Sequence, residues 1–246
     1  MSVKTNEEFE KLKIIGKIVR KTLDAMKAAA RSGVTTAELD QIGFRILTSL
    51  GAEPAPARVY DFPGAVCISV NDEAVHGIPG RRVLQDGDLL KLDLVACKDG
   101  FFADAAITVR IGSVSSTADA LARCAESAFW KAMKVARIGY RTCHIGREVE
   151  RETRRSGFNV MPELGGHGVG RTIHEHPNVP NFYDRTCRDR LHHGLVIAVE
   201  PIVASGSGRG VLSADGWTIR TADHSLSAHY EHTIVITSGE PILLTA

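Results

Sequence analysis

The most constraining feature of this sequence is a pair of apolar segments that each carry one carboxylate. Residues 89–97 (LLKLDLVAC) and 101–109 (FFADAAITV) are rich in strand-forming side chains and flank the turn sequence KDG at 98–100. This pattern predicts an antiparallel hairpin. A turn centred on the first two of those turn residues would place Asp93 opposite Asp104, and a turn centred on the last two would make them diagonal neighbours. In both registers the two acids share a face, about 5 to 8 Å apart.

Two carboxylates held this close among leucines would repel each other and would lose their hydration, which costs several kcal/mol. A bound metal cation relieves both penalties and is the simplest explanation of the pattern. The alternative is an exposed hairpin whose acids are solvated. These two strands by themselves leave that alternative open.

Composition limits the class of protein further. A chain of 246 residues that is 43% hydrophobic can bury a sizeable core as one large domain or as two packed halves. Its net charge of +1 gives no indication of nucleic acid or of an acidic substrate. Five cysteines without a C-x-x-C pair favour reduced thiols and a cytoplasmic setting. The polar N-terminus and the lack of long apolar runs predict neither a signal peptide nor a membrane span.

Helical periodicity predicts two pairs of helices, each followed by strand-rich sequence. The first pair begins at capping boxes opened by Thr5 and Thr35, and residues 52–64 read as a loop. The second pair is predicted from about residue 116, with its first helix reaching Gly139. Four positions recur 106 residues later: Arg31, Gly33, Thr36 and Gly51 return as Arg137, Gly139, Thr142 and Gly157. The recurrence predicts a duplicated α/β unit whose sheets meet at one cleft.

The second half repeats the anomaly of acids placed in apolar strands. Glu200 and Glu231 each interrupt a predicted strand, and a glycine-rich segment at 165–177, read as a loop, carries His167. Four carboxylates and one imidazole suit Mn, Fe, Co or Zn better than thiophilic metals. Because four negative charges exceed what one divalent ion neutralises, the set predicts two ions about 3.5 to 4 Å apart, bridged by carboxylates.

At these residues the chain resembles the type I methionine aminopeptidases of the pita-bread fold. The resemblance covers nearly the whole length and rests on six ordered motifs, which are residues 71–79 (NDEAVHGIP), the Asp93 and Asp104 pair, 166–174 (GHGVGRTIH), 199–201 (VEP), 215–217 (DGW) and 225–233 (SLSAHYEHT). It implies an α+β fold with one catalytic domain, 1–246. Pseudo-twofold halves of about 6–112 and 113–246 would place antiparallel sheets around a shared cleft.

The resemblance also implies a role for each metal ligand. Asp93 would chelate one divalent ion, Asp104 and Glu231 would bridge both ions, and His167 and Glu200 would complete the second site. The ions would be Co, Mn, Fe or Zn. The implied activity is removal of the N-terminal methionine from nascent proteins and peptides.

Three residues are implied to be catalytic. Glu200 would accept and relay the proton of the attacking water, His174 would polarise the scissile carbonyl, and His76 would contact the nitrogen of the scissile amide. The resemblance further implies a monovalent cation near Asn71 and Ser227. The other seven histidines, including His229 and His232, are expected at the surface or behind the site.

The substrate pocket is where the sequence departs from the family pattern. Phe62, Cys67 and Trp217 match an apolar methionine pocket, whereas Val59 and Ile173 stand where the family usually has flat aromatic walls. Together with His76 and His174 these residues would contact substrate. Since one wall contact is worth about 1 to 3 kcal/mol, we expect weakened or broadened methionine selectivity with intact chemistry.

Other functions and partners follow from the same resemblance. The alternatives are a related pita-bread aminopeptidase with altered first-residue specificity, a prolidase or X-Pro aminopeptidase, and a non-catalytic peptide-binding homologue. A cytoplasmic monomer acting on nascent chains, with an encounter with the ribosome, is implied. No nucleic acid and no membrane partner is expected.

Overall fold

A computed structural model describes residues 1–246, which form five helices and fifteen strands. The helices are α1 Asn6–Ala29, α2 Thr36–Ser49, α3 Ala55–Tyr60, α4 Ser116–Met133 and α5 Thr142–Arg155. The strands are β1 Glu53–Pro54, β2 Cys67–Val70, β3 Glu73–Val75, β4 Leu89–Lys98, β5 Phe101–Arg110, β6 Asn159–Val160, β7 Gly165–Gly168, β8 Glu175–Pro180, β9 Val196–Val199, β10 Ile202–Ala204, β11 Gly210–Leu212, β12 Ile219–Thr221, β13 Ser227–His229, β14 Glu231–Val235 and β15 Ile242–Leu243.

The predicted carboxylate hairpin is formed by β4 and β5. Its turn is Asp99-Gly100, and both residues have positive φ, 52° and 75°, as a tight hairpin turn requires. Val95 therefore pairs with Asp104, while Asp93 lies two residues before Val95 on the same face. The diagonal register is the one that the protein adopts.

This hairpin lies inside a nine-stranded antiparallel sheet. On one side β5 is followed by β14, β9, β7 and β8, and on the other β4 pairs with β1 and β2. Helix α1 packs on β4 and β5, and its Leu12 and Ile15 join Leu92 and Leu94 in the largest apolar cluster. Because side chains alternate along a strand, the neighbouring Asp93 faces the opposite side of the sheet.

Two three-stranded sheets complete the architecture, in the orders β13-β10-β6 and β11-β12-β3. Helices α4 and α5 pack against each other in the second half of the chain. All five cysteines are free thiols. None of the five helices combines the length and the apolar character that crossing a membrane would require.

The segment 52–64 contains a helix where the sequence predicts a loop. Helix α3 starts after Pro54 and tolerates Pro56 in its first turn, where the missing N–H would have no helical partner. It ends at Asp61, which is left-handed with φ 56°. Six residues are too few for helical periodicity to show. Likewise, α4 ends at Met133, before the predicted stop at Gly139.

The glycine-rich segment forms strands β7 and β8 joined by a short connection, so the prediction of a loop throughout 165–177 is wrong. Its glycines allow close strand approach. A Cβ on Gly166 would lie 2.2 Å from the carbonyl oxygen of Ala198, and one on Gly168 would lie 2.2 Å from that of His176. Glycine in this strand is therefore dictated by neighbouring backbone, which intrinsic strand propensity does not report.

Candidate active site and metal centre

A cavity of about 370 Å³ lies over the β4–β5 hairpin, and the predicted site residues line it with one exception. The lining includes the five predicted metal ligands, Asp93, Asp104, His167, Glu200 and Glu231. It also includes the predicted substrate contacts Phe62, Cys67, His76, Ile173, His174 and Trp217. The exception is Val59, which lies outside.

His167 contributes a neutral imidazole to this cavity. Its Nε2 is 3.4 Å from Glu200 Oε1 and 3.8 Å from Asp104 Oδ2. Its Nδ1 is 3.0 Å from the carbonyl oxygen of Gly168, so Nδ1–H is the donor and Nε2 keeps a free lone pair. Burial, reinforced by His174, lowers the pKa of His167 to about 4. This is the protonation state that binds metals, with the second nitrogen held by a backbone carbonyl.

Asp104, Glu200 and Glu231 are buried and Asp93 is half-buried, and none of the four has a basic counter-ion. Their only ion-pair neighbours are histidine nitrogens, and no lysine or arginine pairs with them. Burial raises the pKa of Asp93 to about 7. Burial, with repulsion from neighbouring acids, raises the pKa values of Asp104, Glu200 and Glu231 well above their usual range.

Two carboxylate oxygens of this cluster lack a hydrogen-bond partner. Asp104 Oδ1 and Glu231 Oε1 are buried and have no hydrogen-bond partner. One ligand atom each from Asp104, His167 and Glu231 lies within 4.8 Å of the others. Unpaired acceptor atoms, uncompensated charge and a neutral imidazole together fit divalent cations.

The sequence left His229 either at the surface or behind the site, and in the structure it lies behind the site, against the carboxylates. It is 1% exposed, and its Nε2 is 3.6 Å from Glu231 Oε2 and 3.7 Å from Glu200 Oε2. Neither ring nitrogen has a hydrogen-bond partner. His229 and Glu231 are two residues apart in extended chain and so share a face, which is a signal that the sequence contained. His232 faces away, and its Nδ1 is 2.9 Å from Thr245 Oγ1.

Tyr60 occupies the place that the sequence assigned to Val59. Its hydroxyl is 2.8 Å from His174 Nδ1 and its ring lines the cavity. Val59 is 43% exposed and points elsewhere, because successive residues of helix α3 differ in direction by about 100°. The prediction that Val59 forms a wall of the pocket is therefore wrong. His174 also contacts His167, with ring centroids 4.3 Å apart.

An apolar pocket adjoins the acids. The rings of Phe62 and Trp217 meet edge to face with centroids 5.2 Å apart. Cys67 lies directly opposite Asp93 in the register of β2 and β4. Ile173, 2% exposed, contributes an aliphatic surface. The arrangement can hold one apolar side chain beside the carboxylate cluster.

The region of the predicted monovalent cation contains a lysine side chain. Lys91 is 1% exposed and its Nζ donates to the carbonyl oxygen of Asn71 at 2.7 Å. Ser227 Oγ donates to the same oxygen at 2.9 Å and lies 3.1 Å from that of Glu73. Burial lowers the pKa of Lys91 to about 7, and nearby carboxylates, that of Glu73 foremost, oppose the shift. These residues do not fit an added cation, because an amine already contacts the oxygen that would bind it.

Acids and a neutral imidazole at the base of a cleft define a site for divalent metal ions. The model of metallopeptidase family M24 matches residues 10–238. The chain belongs to metallopeptidase family M24.

Relatives in this family match over the full length. Methionine aminopeptidase 2 of Bacillus subtilis is 44% identical over 247 residues, covering 100% of this chain and 99% of that protein. The methionine aminopeptidase of Clostridium perfringens is 41% identical over 243 residues, covering 99% and 98%. The crystal structure of the Thermotoga maritima methionine aminopeptidase superposes with a TM-score of 0.96 at 35% identity, covering 100% and 99%. The predicted resemblance and the pita-bread α+β fold are confirmed.

The fold extends to more distant structures. Prolidase from Pyrococcus furiosus has a TM-score of 0.81 at 22% identity, and the match covers 99% of this chain but 65% of that one. At this level of identity the match shows a shared fold only.

Proposed function

We propose that this chain removes the N-terminal methionine from nascent proteins and peptides by two-metal hydrolysis of the first peptide bond. The observation that carries the proposal is the adjacency of an apolar pocket to a buried acid cluster, joined where Cys67 faces Asp93. A side chain held in that pocket places its own backbone beside the carboxylates. The full-length relatives named methionine aminopeptidase support the same activity.

The five acid and imidazole ligands would hold the ions. These are Asp93, Asp104, His167, Glu200 and Glu231, all of which line the cavity. This donor set suits Co, Mn, Fe or Zn. When bound, divalent ions would supply Lewis-acid activation of water and of the peptide carbonyl.

The remaining side chains position and protonate the substrate. Glu200 accepts the proton of the attacking water on a carboxylate oxygen and relays it to the leaving amine. Tyr60 Oη lies 2.8 Å from His174 Nδ1. With Tyr60 as the donor, His174 carries its proton on Nε2 and would donate it to the carbonyl oxygen as charge develops there. His76, on the cavity wall, contacts the nitrogen of the scissile amide.

A second candidate differs in specificity only. Ile173 presents an aliphatic surface where the family pattern has a flat ring, which favours a pocket that also accepts leucine or norleucine. Prolidase activity is disfavoured because the prolidase of Pyrococcus furiosus is 22% identical to this chain, whereas methionine aminopeptidase 2 of Bacillus subtilis is 44% identical. A non-catalytic role is disfavoured because all five ligands line one cavity.

The setting and organisation of the chain belong to the same proposal. Five free thiols support a cytoplasmic protein. We infer that it acts as a monomer on nascent chains that it meets at the ribosome, and that residues 1–246 form one catalytic unit with repeated halves 6–112 and 113–246. Light scattering tests whether the protein is a monomer, and co-sedimentation with ribosomes tests the encounter.

The decisive experiment is metal reconstitution. The chelated protein is loaded separately with Mn, Fe, Co and Zn and assayed on a Met-Ala peptide and on its N-acetylated form. We expect cleavage of the free peptide only, with at least one metal, and loss of cleavage in Asp104→Ala. The matched control is Asp99→Asn in the turn of the same hairpin, which should remain active. Cleavage that survives chelation or Asp104→Ala would refute the mechanism.

A further inference from the structure

The most unusual buried group outside the acid cluster is the amine of Lys91. Its side chain is 1% exposed, although lysine is almost never fully buried without a partner of opposite charge. Its Nζ pairs with no carboxylate and contacts backbone carbonyls instead, that of Asn71 at 2.7 Å and that of Leu89 at 3.5 Å. Backbone carbonyls are the groups that bind hard monovalent cations in dry sites.

The carbonyl oxygen of Asn71 joins three parts of the fold. It accepts from Lys91 Nζ on β4, and from both the backbone N–H and the hydroxyl of Ser227 on β13, at 3.0 and 2.9 Å. Asn71 itself has φ 56°, and its side-chain oxygen accepts from the N–H of Leu89 at 2.9 Å. The turn that begins at Asn71 is thus held from both sides.

That turn leads into the active cleft. It continues through β3 to His76, which also has positive φ, 57°, and lines the cavity. The position of His76 therefore depends on how the turn sits against β4 and β13. The Lys91 amine donates to the Asn71 carbonyl oxygen and so holds the turn against β4.

We propose that the ammonium of Lys91 is a built-in replacement for the monovalent cation expected near Asn71 and Ser227, and that it positions His76 by fixing the Asn71 turn. The role in positioning rests on the proposed aminopeptidase function, whereas the occupancy of the cation site by Lys91 does not. Lys91 is a positioning residue, since it does not line the cavity.

The test compares potassium, sodium and choline chlorides at matched ionic strength, with kcat, KM and Tm measured for each variant. Wild type should show the same values in all three salts and no sodium NMR line broadening. Lys91→Ala should lose about tenfold in kcat in choline chloride with little change in KM, because His76 is displaced. Potassium or ammonium chloride should restore at least about fivefold of that loss and raise Tm, because a cation then binds the vacated carbonyls.

Two controls separate charge from packing. Lys91→Met keeps the volume without the charge, so its loss should not respond to salt. Lys98→Ala removes the ammonium that contacts the carbonyls of Leu50 and Gly51 at the far end of β4, at 3.1 and 2.9 Å, and should change neither kcat nor salt response. If Lys91→Ala does not fold, Lys91→Ser leaves room for the ion and supplies an oxygen, and its Tm should rise with potassium.

Three results would overturn the proposal. They are a wild-type Tm or kcat that rises specifically with potassium or sodium, full activity of Lys91→Ala in choline chloride, and a loss in Lys91→Ala that no monovalent cation reverses in kcat or Tm. Absence of aminopeptidase activity in every metal would refute the proposed function instead. The Tm and NMR measurements would still decide the occupancy of the site.

Discussion

Cys67 and Asp93 face each other directly across the antiparallel pair of β2 and β4. Opposed residues in such a pair have Cα atoms about 4.5 to 5.5 Å apart. This cross-strand pair therefore joins the apolar pocket to the acid cluster. A residue whose side chain enters the pocket has its own carbonyl within reach of the carboxylates, which restricts cleavage to the bond that follows it.

The first prediction concerns the repulsion among the buried acids. Glu231→Gln should abolish metal-dependent cleavage, by at least about a thousandfold in kcat, because one ligand is lost. In chelator, however, the same variant should have a higher Tm than wild type, since a buried and uncompensated carboxyl has been neutralised. Differential scanning calorimetry with and without chelator measures the effect. A lower Tm in chelator would contradict the account of repulsion.

The second prediction is the pH dependence of the metal-free protein. Burial raises the pKa of Asp93 to about 7. It also raises the pKa values of Asp104, Glu200 and Glu231. A carboxyl with a raised folded-state pKa favours folding fully below its unfolded pKa of about 4 and loses that contribution as pH rises through the folded value. In chelator, Tm should therefore fall between about pH 5 and 7.

Metal should reverse that trend, because ions displace protons from the ligands and bind more tightly at higher pH. The rise in Tm on adding Mn or Co should grow from pH 5 to 7. The effect is measurable, because free metal a hundredfold above Kd adds about 2.7 kcal/mol to the free energy of unfolding. A rise in Tm that does not depend on pH would show that the acids are already ionised.

The third prediction concerns the hydrogen bond between Tyr60 and His174. Tyr60→Phe should lower kcat by about fivefold to tenfold and leave KM nearly unchanged, since a hydrogen bond of this kind contributes about 1 kcal/mol to orienting His174. The exposed Tyr183 offers a matched control, and Tyr183→Phe should have no effect. Equal kinetics of Tyr60→Phe and wild type would remove Tyr60 from the mechanism.

The fourth prediction is the selectivity of the pocket. Wild type should cleave norleucine and leucine peptides with kcat/KM within about tenfold of the methionine peptide, because the aliphatic Ile173 discriminates weakly. Ile173→Phe should increase the preference for the methionine peptide by narrowing the pocket. Val59→Tyr should leave that preference unchanged, because Val59 lies outside the cavity. Strict methionine selectivity of wild type would refute broadening.

Local signals in the sequence predicted much of the fold. The capping box at Thr35 and Glu38 is present at the start of α2, and Thr5 caps α1. The apolar segments around Asp93 and Asp104 form β4 and β5 as predicted. These features depend on contacts a few residues apart, which a sequence displays directly.

The missed features depend either on residues that are distant in sequence or on an element too short to show periodicity. Gly166 is needed because the backbone of Ala198 lies against it. The resulting run of glycines made strand β7 look like a loop in the sequence. Tyr60 replaces Val59 at the cavity because a short helix, without visible periodicity, rotates the side chains. The division into repeated halves and the roles of the site residues stay predictions.

The sequence by itself determined which strands carry acids that need compensation, because acids within apolar strands are costly wherever the chain places them. Tertiary structure alone decided the register that makes Asp93 and Asp104 diagonal neighbours, the burial of His229 beside Glu200 and Glu231, and the contact of Lys91 with Asn71. The physical reason is that composition fixes the charges that must be compensated. Distances between elements far apart in the chain determine which group compensates them.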